Sequence, residues 1–260
     1  MGGQVIVAVA APPAAPLPCR PLLPRCRRVH AAAASLSAAD SAAAPPQLTV
    51  RRAQTPAELR AAGSLRAAAF SVVPPDRSKF ARQSFLRMKA DAAWHTLEAK
   101  VAGTDVEYRD VLVTPLIAVT PVEALPRGAE GACLLPAEPG GSPQLVVGTC
   151  DLNQGINLPA EDLIGRQPAE GDKRRLRAYI SNVATWEGAR RRGAARALMA
   201  EAAREAAAAG VQHLYVHVEA CNAAAAALYL SSGFEVESEE AEAFARAQNR
   251  NRRLLLHCKL

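Results

Sequence analysis

Residues 214–234, which read LYVHVEACNAAAAALYLSSGF, decide the fold. The run from Leu214 to Val218 is rich in β-branched and aromatic side chains and predicts a strand. Asn222 is a favoured N-cap for the alanine-rich helix that follows, and Gly233 is a typical helix stop. A further short strand begins at Phe234. This stretch therefore predicts a strand, a helix and a second strand in immediate succession.

A second patterned stretch, residues 183–196, reads VATWEGARRRGAAR. A strand ending near Thr185 leads into a turn of small residues and then into a helix from about Arg191 to Ala209. Free N–H groups at a helix N-terminus bind phosphate oxygens, and glycine allows the close approach that this needs. Consecutive arginines at a helix N-terminus are repelled by the positive end of the helix dipole, and a polyanion bound among them would offset that repulsion. The stretch indicates a phosphate-binding loop, and a solvated basic turn is the alternative interpretation.

The rest of the chain predicts one α/β domain around these two stretches. Alternation and capping signals indicate strands at 47–51, 111–119, 145–152, 176–185 and 253–257, and helices at 55–70 and 77–101. Pro115 can bend the second of these strands. Two segments, 121–144 and 157–175, have the Pro, Gly and polar composition of surface loops. Alternating strands and helices of these lengths predict a single domain over residues 45–260.

The first 44 residues differ in composition from the remainder. They contain four arginines, many alanines and prolines, and a single acid, Asp40. This is the composition of a disordered, removable organellar transit peptide. The apolar run Val5 to Ala11 makes a secretory signal the alternative, but the arginines follow that run instead of preceding it. We expect delivery to the plastid stroma, with the mitochondrion as the other destination.

Charge, hydropathy and cysteine spacing argue against several classes of protein. The formal net charge is +6, and about half of it belongs to the arginine-rich leader. Basic clusters without interleaved aromatic residues do not indicate nucleic-acid binding. No apolar run is long enough to predict a membrane span. The 6 cysteines lack CxxC pairs and nearby histidines, so we expect reduced thiols and no metal site.

The two patterned stretches together resemble the GNAT superfamily of acetyltransferases. The family's pyrophosphate loop is Gln or Arg, two residues, Gly, one residue, and Gly or Ala, which Arg190, Gly193 and Ala195 match. Its later signature, Asn-x-x-Ala-x-x-Leu-Tyr-x-x-x-Gly-Phe, is matched by residues 222–234. The string from Tyr179 to Val183, with Asp151 to Asn153 earlier and Tyr215 to Val218 later, looks most like plant and algal plastid acetyltransferases, which are described as modifying protein N-termini and lysine side chains.

The resemblance implies an α/β (α+β) GNAT fold with acetyl-CoA as co-substrate and no metal. The expected fold has a central mixed, twisted sheet of about seven strands with helices on both faces. CoA would lie in the splay between two parallel strands, here 178–185 and 214–219. The implied CoA-binding residues are Val183, Ala184, Thr185, Arg190, Arg191, Arg192, Gly193, Ala194, Ala195, Arg196, Asn222, Ala223, Ala224 and Tyr229.

The resemblance also assigns catalytic roles. Tyr229 would protonate the departing thiolate, for which a phenol is a reasonable donor. The general base matched by spacing is His217, and Glu219 on the same face of the strand is the alternative. Cys221 has no evident activating neighbour in the sequence, which argues against a covalent cysteine mechanism.

We therefore expect an enzyme that transfers acetyl groups to primary amines, either protein N-terminal α-amines or lysine ε-amines. Two alternatives stay open: a small-molecule amine as the acceptor, and a protein that binds acetyl-CoA without turnover. The sequence does not indicate the oligomeric state.

Overall fold

A computed structural model describes residues 48–74, 76–124, 133–137, 141–155, 158 and 176–260. The predicted leader and parts of both predicted loops lie outside these ranges. The strands are β1 (Thr49–Arg52), β2 (Val111–Pro121), β3 (Leu134–Leu135), β4 (Gln144–Gly155), β5 (Arg177–Thr185), β6 (His213–Glu219), β7 (Glu235–Glu239) and β8 (Arg253–Lys259). The helices are α1 (Pro56–Phe70), α2 (Lys79–Val101), α3 (Ala194–Ala208), α4 (Ala223–Ser231) and α5 (Glu242–Ala247).

The strands form one mixed sheet in the order β1-β2-β4-β5-β6-β8-β7. The short strand β3 is not part of this order and pairs with β4. β5 and β6 are parallel, and the other paired neighbours are antiparallel. This arrangement confirms the predicted fold class. The described chain contains eight strands instead of about seven, because the two-residue β3 forms inside the segment predicted as a loop.

Helices cover the two faces of the sheet. On one face, Leu198 and Met199 of α3 pack with Ile180 and Val216 in the larger core. On the other face, α1 and α2 cover the smaller core, which includes Leu65, Leu97 and Ile117. The two helices approach closely, since a Cβ atom on Gly63 would lie 2.8 Å from the backbone nitrogen of Trp94.

Local capping signals fix where α1 begins. The N–H of Glu58 donates to Thr55 Oγ1 at 3.3 Å, and Glu58 Oε2 accepts from the N–H of Thr55 at 2.9 Å. This reciprocal capping box, together with Pro56 in the first turn, lies where the sequence predicted the start of a helix. It sets the register of α1 and thereby the position of Arg66 over the sheet.

Two local features differ from the prediction. β2 continues through Pro115, and its irregular register occurs at Ala118 and Val119. The short helix α5 was not predicted, because six residues carry too little periodicity to distinguish a helix from a loop. Within the described ranges, no helix has both the length and the hydropathy needed to cross a bilayer.

Candidate active site

β5 and β6 separate part-way along their length. Their parallel pairing runs from Arg177 opposite His213 to Ile180 opposite Val216 and then ends. β5 nevertheless continues to Thr185, still paired with β4 on its other side. β6 continues to Glu219, still paired with β8. The two strands therefore leave a wedge-shaped opening. Along it, the backbone groups on their facing edges do not form hydrogen bonds between the two strands.

A bulge marks the point where the opening begins. The register between β4 and β5 shifts between Thr149 and Asp151, and Asn182 adopts a left-handed φ of 55°. Asn182 Nδ2 donates to Asp151 Oδ2 at 2.8 Å. A bulge bends its strand and re-aims the neighbouring side chains.

A buried ion pair beneath the bulge holds α1 to the sheet. Arg66 Nη1 donates to Asp151 Oδ2 at 3.0 Å, and Arg66 Nη2 donates to Asp151 Oδ1 at 2.6 Å and to Thr149 Oγ1 at 2.9 Å. Asp151 is 1% exposed and Arg66 7%. Sequence reasoning missed this pair because its members lie 85 residues apart.

The predicted phosphate loop has the backbone geometry that phosphate binding requires. Arg191 and Gly193 have positive φ values of 64° and 89°. Gly193 is the N-cap of α3, and the first helical bond runs from the N–H of Ala197 to the Gly193 carbonyl at 2.9 Å. The N–H groups of Ala194, Ala195 and Arg196 therefore precede this bond and are available to an anion.

Side chains around the phosphate loop leave room for a ligand. A Cβ atom on Gly193 would have no neighbour within 4 Å. The arginines at this end of α3 are all exposed: Arg190, Arg191, Arg192 and Arg196. Their positive charge surrounds the positive end of the helix dipole, an arrangement that suits a polyanionic ligand.

α4 brings Tyr229 to the opening. Asn222 caps the helix, its Oδ1 accepting from the N–H of Ala225 at 3.1 Å, so this oxygen is already used in capping. Ala223 and Ala224 are exposed in the first turn. Tyr229 is 5% exposed and packs edge-to-face on Phe234 with ring centroids 6.0 Å apart. Burial raises the pKa of the Tyr229 phenol, which keeps it protonated at neutral pH.

His217 lies on β6 across the opening and contacts Tyr179 of β5. The Tyr179 hydroxyl and His217 Nδ1 are 3.0 Å apart, a hydrogen-bond distance. Burial, followed by the charge of Arg253, lowers the pKa of His217 to about 4, so this imidazole is neutral at pH 7. Burial raises the pKa of Tyr179, which remains a phenol. Tyr179 belonged to the string that carried the family resemblance, but no role was predicted for it.

One open cavity of about 700 Å³ lies at the β5–β6 opening, and residues 190–196 of the phosphate loop are not among the residues that line it. Tyr179, Val183, His217 and Tyr229 line it together with residues of α1 and α2. Asn222 also reaches it, whereas Ala184 is buried at 4% exposure. The cavity thus places the predicted acid and the predicted base on the walls of a single site.

The α2 side of the cavity contributes groups that the sequence did not indicate. Lys100 and Tyr108 line it, with the Lys100 ammonium 3.8 Å from the centre of the Tyr108 ring. Burial lowers the pKa of Lys100, and the charge of Asp151 opposes that shift. Asp105 and Glu107 line the same wall.

The other candidates for a base or nucleophile lie nearby. Glu219 lines the cavity, and its Oε2 accepts from Asn251 Nδ2 at 3.1 Å. Cys221 is exposed, and its Sγ lies 3.7 Å from Glu219 Oε2. A carboxylate neighbour disfavours the thiolate, so this geometry does not activate Cys221.

Comparison with known proteins decides the family. Residues 118–234 match the Acetyltransferase (GNAT) family. The chain is also 34% identical over 200 residues to "GCN5-related N-acetyltransferase 7, chloroplastic" of Arabidopsis thaliana, a match that covers 76% of this chain and 71% of that protein. The chain belongs to the GNAT family. It is an acetyl-CoA-dependent N-acetyltransferase, as the two motifs predicted.

Solved GNAT structures also resemble this chain. The PaiA N-acetyltransferase of Thermoplasma acidophilum, in complex with coenzyme A, is 12% identical and superposes with a TM-score of 0.46. The superposition covers 82% of this chain and 99% of that one. The ribosomal-protein-S18-alanine N-acetyltransferase of Escherichia coli is 16% identical, with a TM-score of 0.45 covering 82% and 94%.

The GNAT site fits acetyl-CoA on its own geometry. The separated edges of β5 and β6 would give backbone groups to an extended pantetheine arm, and the start of α3 would give N–H groups and arginines to the phosphates. The thioester supplies the activated acetyl group. In the part of the chain that the structure describes, no group of three or more His, Cys, Asp or Glu side chains could hold a metal ion.

Proposed function

We propose that this GNAT enzyme acetylates primary amines of proteins, either N-terminal α-amines or lysine ε-amines. The observation that carries the proposal is the open cavity, in which Tyr229 and the Tyr179–His217 pair line the walls of the β5–β6 opening. A cleft open to solvent admits the end of a polypeptide or a long side chain. The resemblance of residues 179–183 to the plastid group points to the same acceptors.

Tyr229 acts as the proton donor in this proposal. Its phenol is protonated, lines the cavity, and has no hydrogen-bond partner among the described residues. The proton is therefore available to the sulfur of the departing thiolate.

Tyr179 and His217 accept the proton that the amine loses. With the His217 proton on Nε2, the Tyr179 hydroxyl donates to Nδ1. The phenol oxygen then receives the amine proton while its own proton moves to Nδ1, which yields a phenol and an imidazolium. Because the pKa of His217 is about 4, it receives a proton only from an acidic group. The nitrogen becomes such a group once it has attacked the carbonyl and carries positive charge.

A small cationic amine is the second candidate acceptor. Asp105 and Glu107 line the cavity on the α2 side and would attract such a molecule. Glu161 and Asp162, two acids in the segment 157–175 that would favour such an acceptor, lie outside the described residues.

Mass spectrometry separates these acceptors. The enzyme is incubated with acetyl-CoA and a library of peptides with free or blocked N-termini, and polyamines are tested in parallel. We expect acetylation of peptide amines at mapped positions. Acetylated polyamines with unmodified peptides would reject the protein acceptor, and CoA binding without thiol release from any acceptor would indicate a non-catalytic protein.

We further propose that residues 1–44 are a cleaved plastid transit peptide. The arginine-rich, acid-poor composition supports this, as does the chloroplastic relative from Arabidopsis thaliana. A fluorescent fusion should locate to the plastid stroma, and sequencing of the mature protein should begin near residue 45. A protein that retains Met1, or one found in mitochondria, would contradict the proposal.

A further inference from the structure

A second cavity, of about 500 Å³, lies between β7, α5 and β8. Two residues, His217 and Arg253, line both this cavity and the larger one. The wall between the two cavities is therefore made partly of the proposed base and partly of a guanidinium.

Arg253 is buried with incomplete hydrogen bonding. The residue is 8% exposed, and its Nε has no partner among the described residues. Among the described residues, its one ion pair is long, from Nη2 to Glu240 Oε1 at 3.4 Å. A buried guanidinium that lacks full pairing is costly, so a site of this kind is more stable when an anion completes it.

The carboxylate beside Arg253 is already engaged. Arg250 binds both oxygens of Glu240 in a bidentate pair. Burial would raise the pKa of Glu240, but the hydrogen bonds from Arg250 and the charge of Arg253 outweigh it and hold that pKa below its usual range. Two guanidinium groups therefore share one carboxylate.

Two further acids near Arg253 are engaged elsewhere. Glu219 lies opposite Arg253 in the strand register but accepts from Asn251. Glu239 pairs with Arg252 at 2.6 Å. Within the described residues, neither makes an ion pair with Arg253.

We propose that Arg253 binds a carboxylate of the acceptor, so that preferred acceptors carry a carboxylate about one residue away from the reacting amine. In the register between β6 and β8, Arg253 lies opposite Glu219, which is two positions from His217 and therefore roughly 7 Å from it along β6. This spacing suits the acidic side chain of a second residue in a peptide, and it also admits the α-carboxylate of a free amino acid. The inference rests on the proposed function, since it requires an amine acceptor in this cleft.

Matched substrates test the inference on the wild-type enzyme. Two short peptides that begin Ala-Glu and Ala-Gln, and otherwise agree, are compared by kcat/KM, and free alanine is compared with alaninamide. We expect the Ala-Glu peptide to be preferred by roughly tenfold to a hundredfold, the effect of one charge-assisted hydrogen bond in a buried site. A preference for free alanine over alaninamide, with no difference between the peptides, would assign the carboxylate to an amino acid.

Variants then locate the preference. Arg253→Gln should bring the Ala-Glu to Ala-Gln ratio close to one, and Arg253→Lys should restore part of it. Arg252→Gln is the matched control, because Arg252 is the preceding residue, is 43% exposed in its side chain and pairs with Glu239, so the ratio should persist.

The outcomes separate the two proposals. Peptides acetylated at equal rates, together with equal rates for alanine and alaninamide, would overturn the carboxylate site and leave the amine acetyltransferase standing. A wild-type preference that Arg253→Gln retains in a folded protein would also overturn it. No acetylation of any peptide or amino acid would remove the proposed function, and the carboxylate site with it.

Discussion

His217 makes the stability of this enzyme depend on pH in a way that its replacement should remove. The pKa of His217 is about 4 in the folded chain because the imidazole is buried beside Arg253, against an ordinary value of 6.5. The unfolded chain therefore binds a proton at this residue below about pH 6.5, whereas the folded chain does so only near pH 4. As far as His217 determines it, the free energy of unfolding is highest above about pH 6.5 and falls as the pH drops toward 4.

The size of the effect follows from the two pKa values. Between about pH 8 and pH 5, His217 should cost the folded state at most about 2 kcal/mol, since one pKa unit corresponds to about 1.4 kcal/mol. Water in the open cavity reduces this value.

Urea unfolding at pH 8, 6.5 and 5 measures this effect. Between pH 8 and pH 5, the free energy of unfolding of wild type should fall by up to about 2 kcal/mol more than that of His217→Gln. His95→Gln is the matched control, because His95 has a side chain 67% exposed and should behave as wild type. Parallel pH dependences for wild type and His217→Gln would refute the burial argument.

Three further variants test other parts of the site. Tyr229→Phe should lower kcat by roughly 10²- to 10⁴-fold while the Kd for acetyl-CoA stays within a few-fold. Tyr215→Phe is its control. Wild-type turnover in Tyr229→Phe would show that Tyr229 is not the proton donor. Gly193→Asp should weaken acetyl-CoA binding about tenfold or more in calorimetry, because it places a negative charge where phosphate is expected. Its control is Gly210→Asp, also at a positive φ with open space around it, which should bind acetyl-CoA normally. Equal affinities of the two variants for acetyl-CoA would contradict the loop assignment. Arg66→Met should lower the free energy of unfolding by about 3–5 kcal/mol, because it leaves Asp151 buried without its cation; a loss below about 1 kcal/mol would show that the pair is dispensable.

The sequence predicted those parts of the fold whose signals are local. Thr55 and Glu58 form the capping box of α1, and Asn222 caps α4, at the positions where their residue types indicated helix starts. β3 and α5 were not predicted, because elements of two and six residues carry too little periodicity to be recognised.

The site was predictable where a motif, or for His217 the strand spacing, indicated a residue. Gly193 and Tyr229 stood in motifs, and the structure places them at the α3 N-terminus and the cavity wall. The contact between Tyr179 and His217 joins residues 38 apart in sequence, on two parallel strands. Such contacts depend on strand register, which is set by the packing of the whole sheet.

The position of β8 has a consequence for the order in which the enzyme assembles. β8 is the last strand of the described chain, yet it lies between β6 and β7 in the sheet. Strand β6, which carries His217, therefore has an unpaired edge until residues 253–259 have been synthesised and have inserted beside it. During synthesis that edge is exposed to pairing with other chains. Catalytic competence should thus appear in one late step, when the final strand closes the sheet and brings Arg253 to the wall of the cleft.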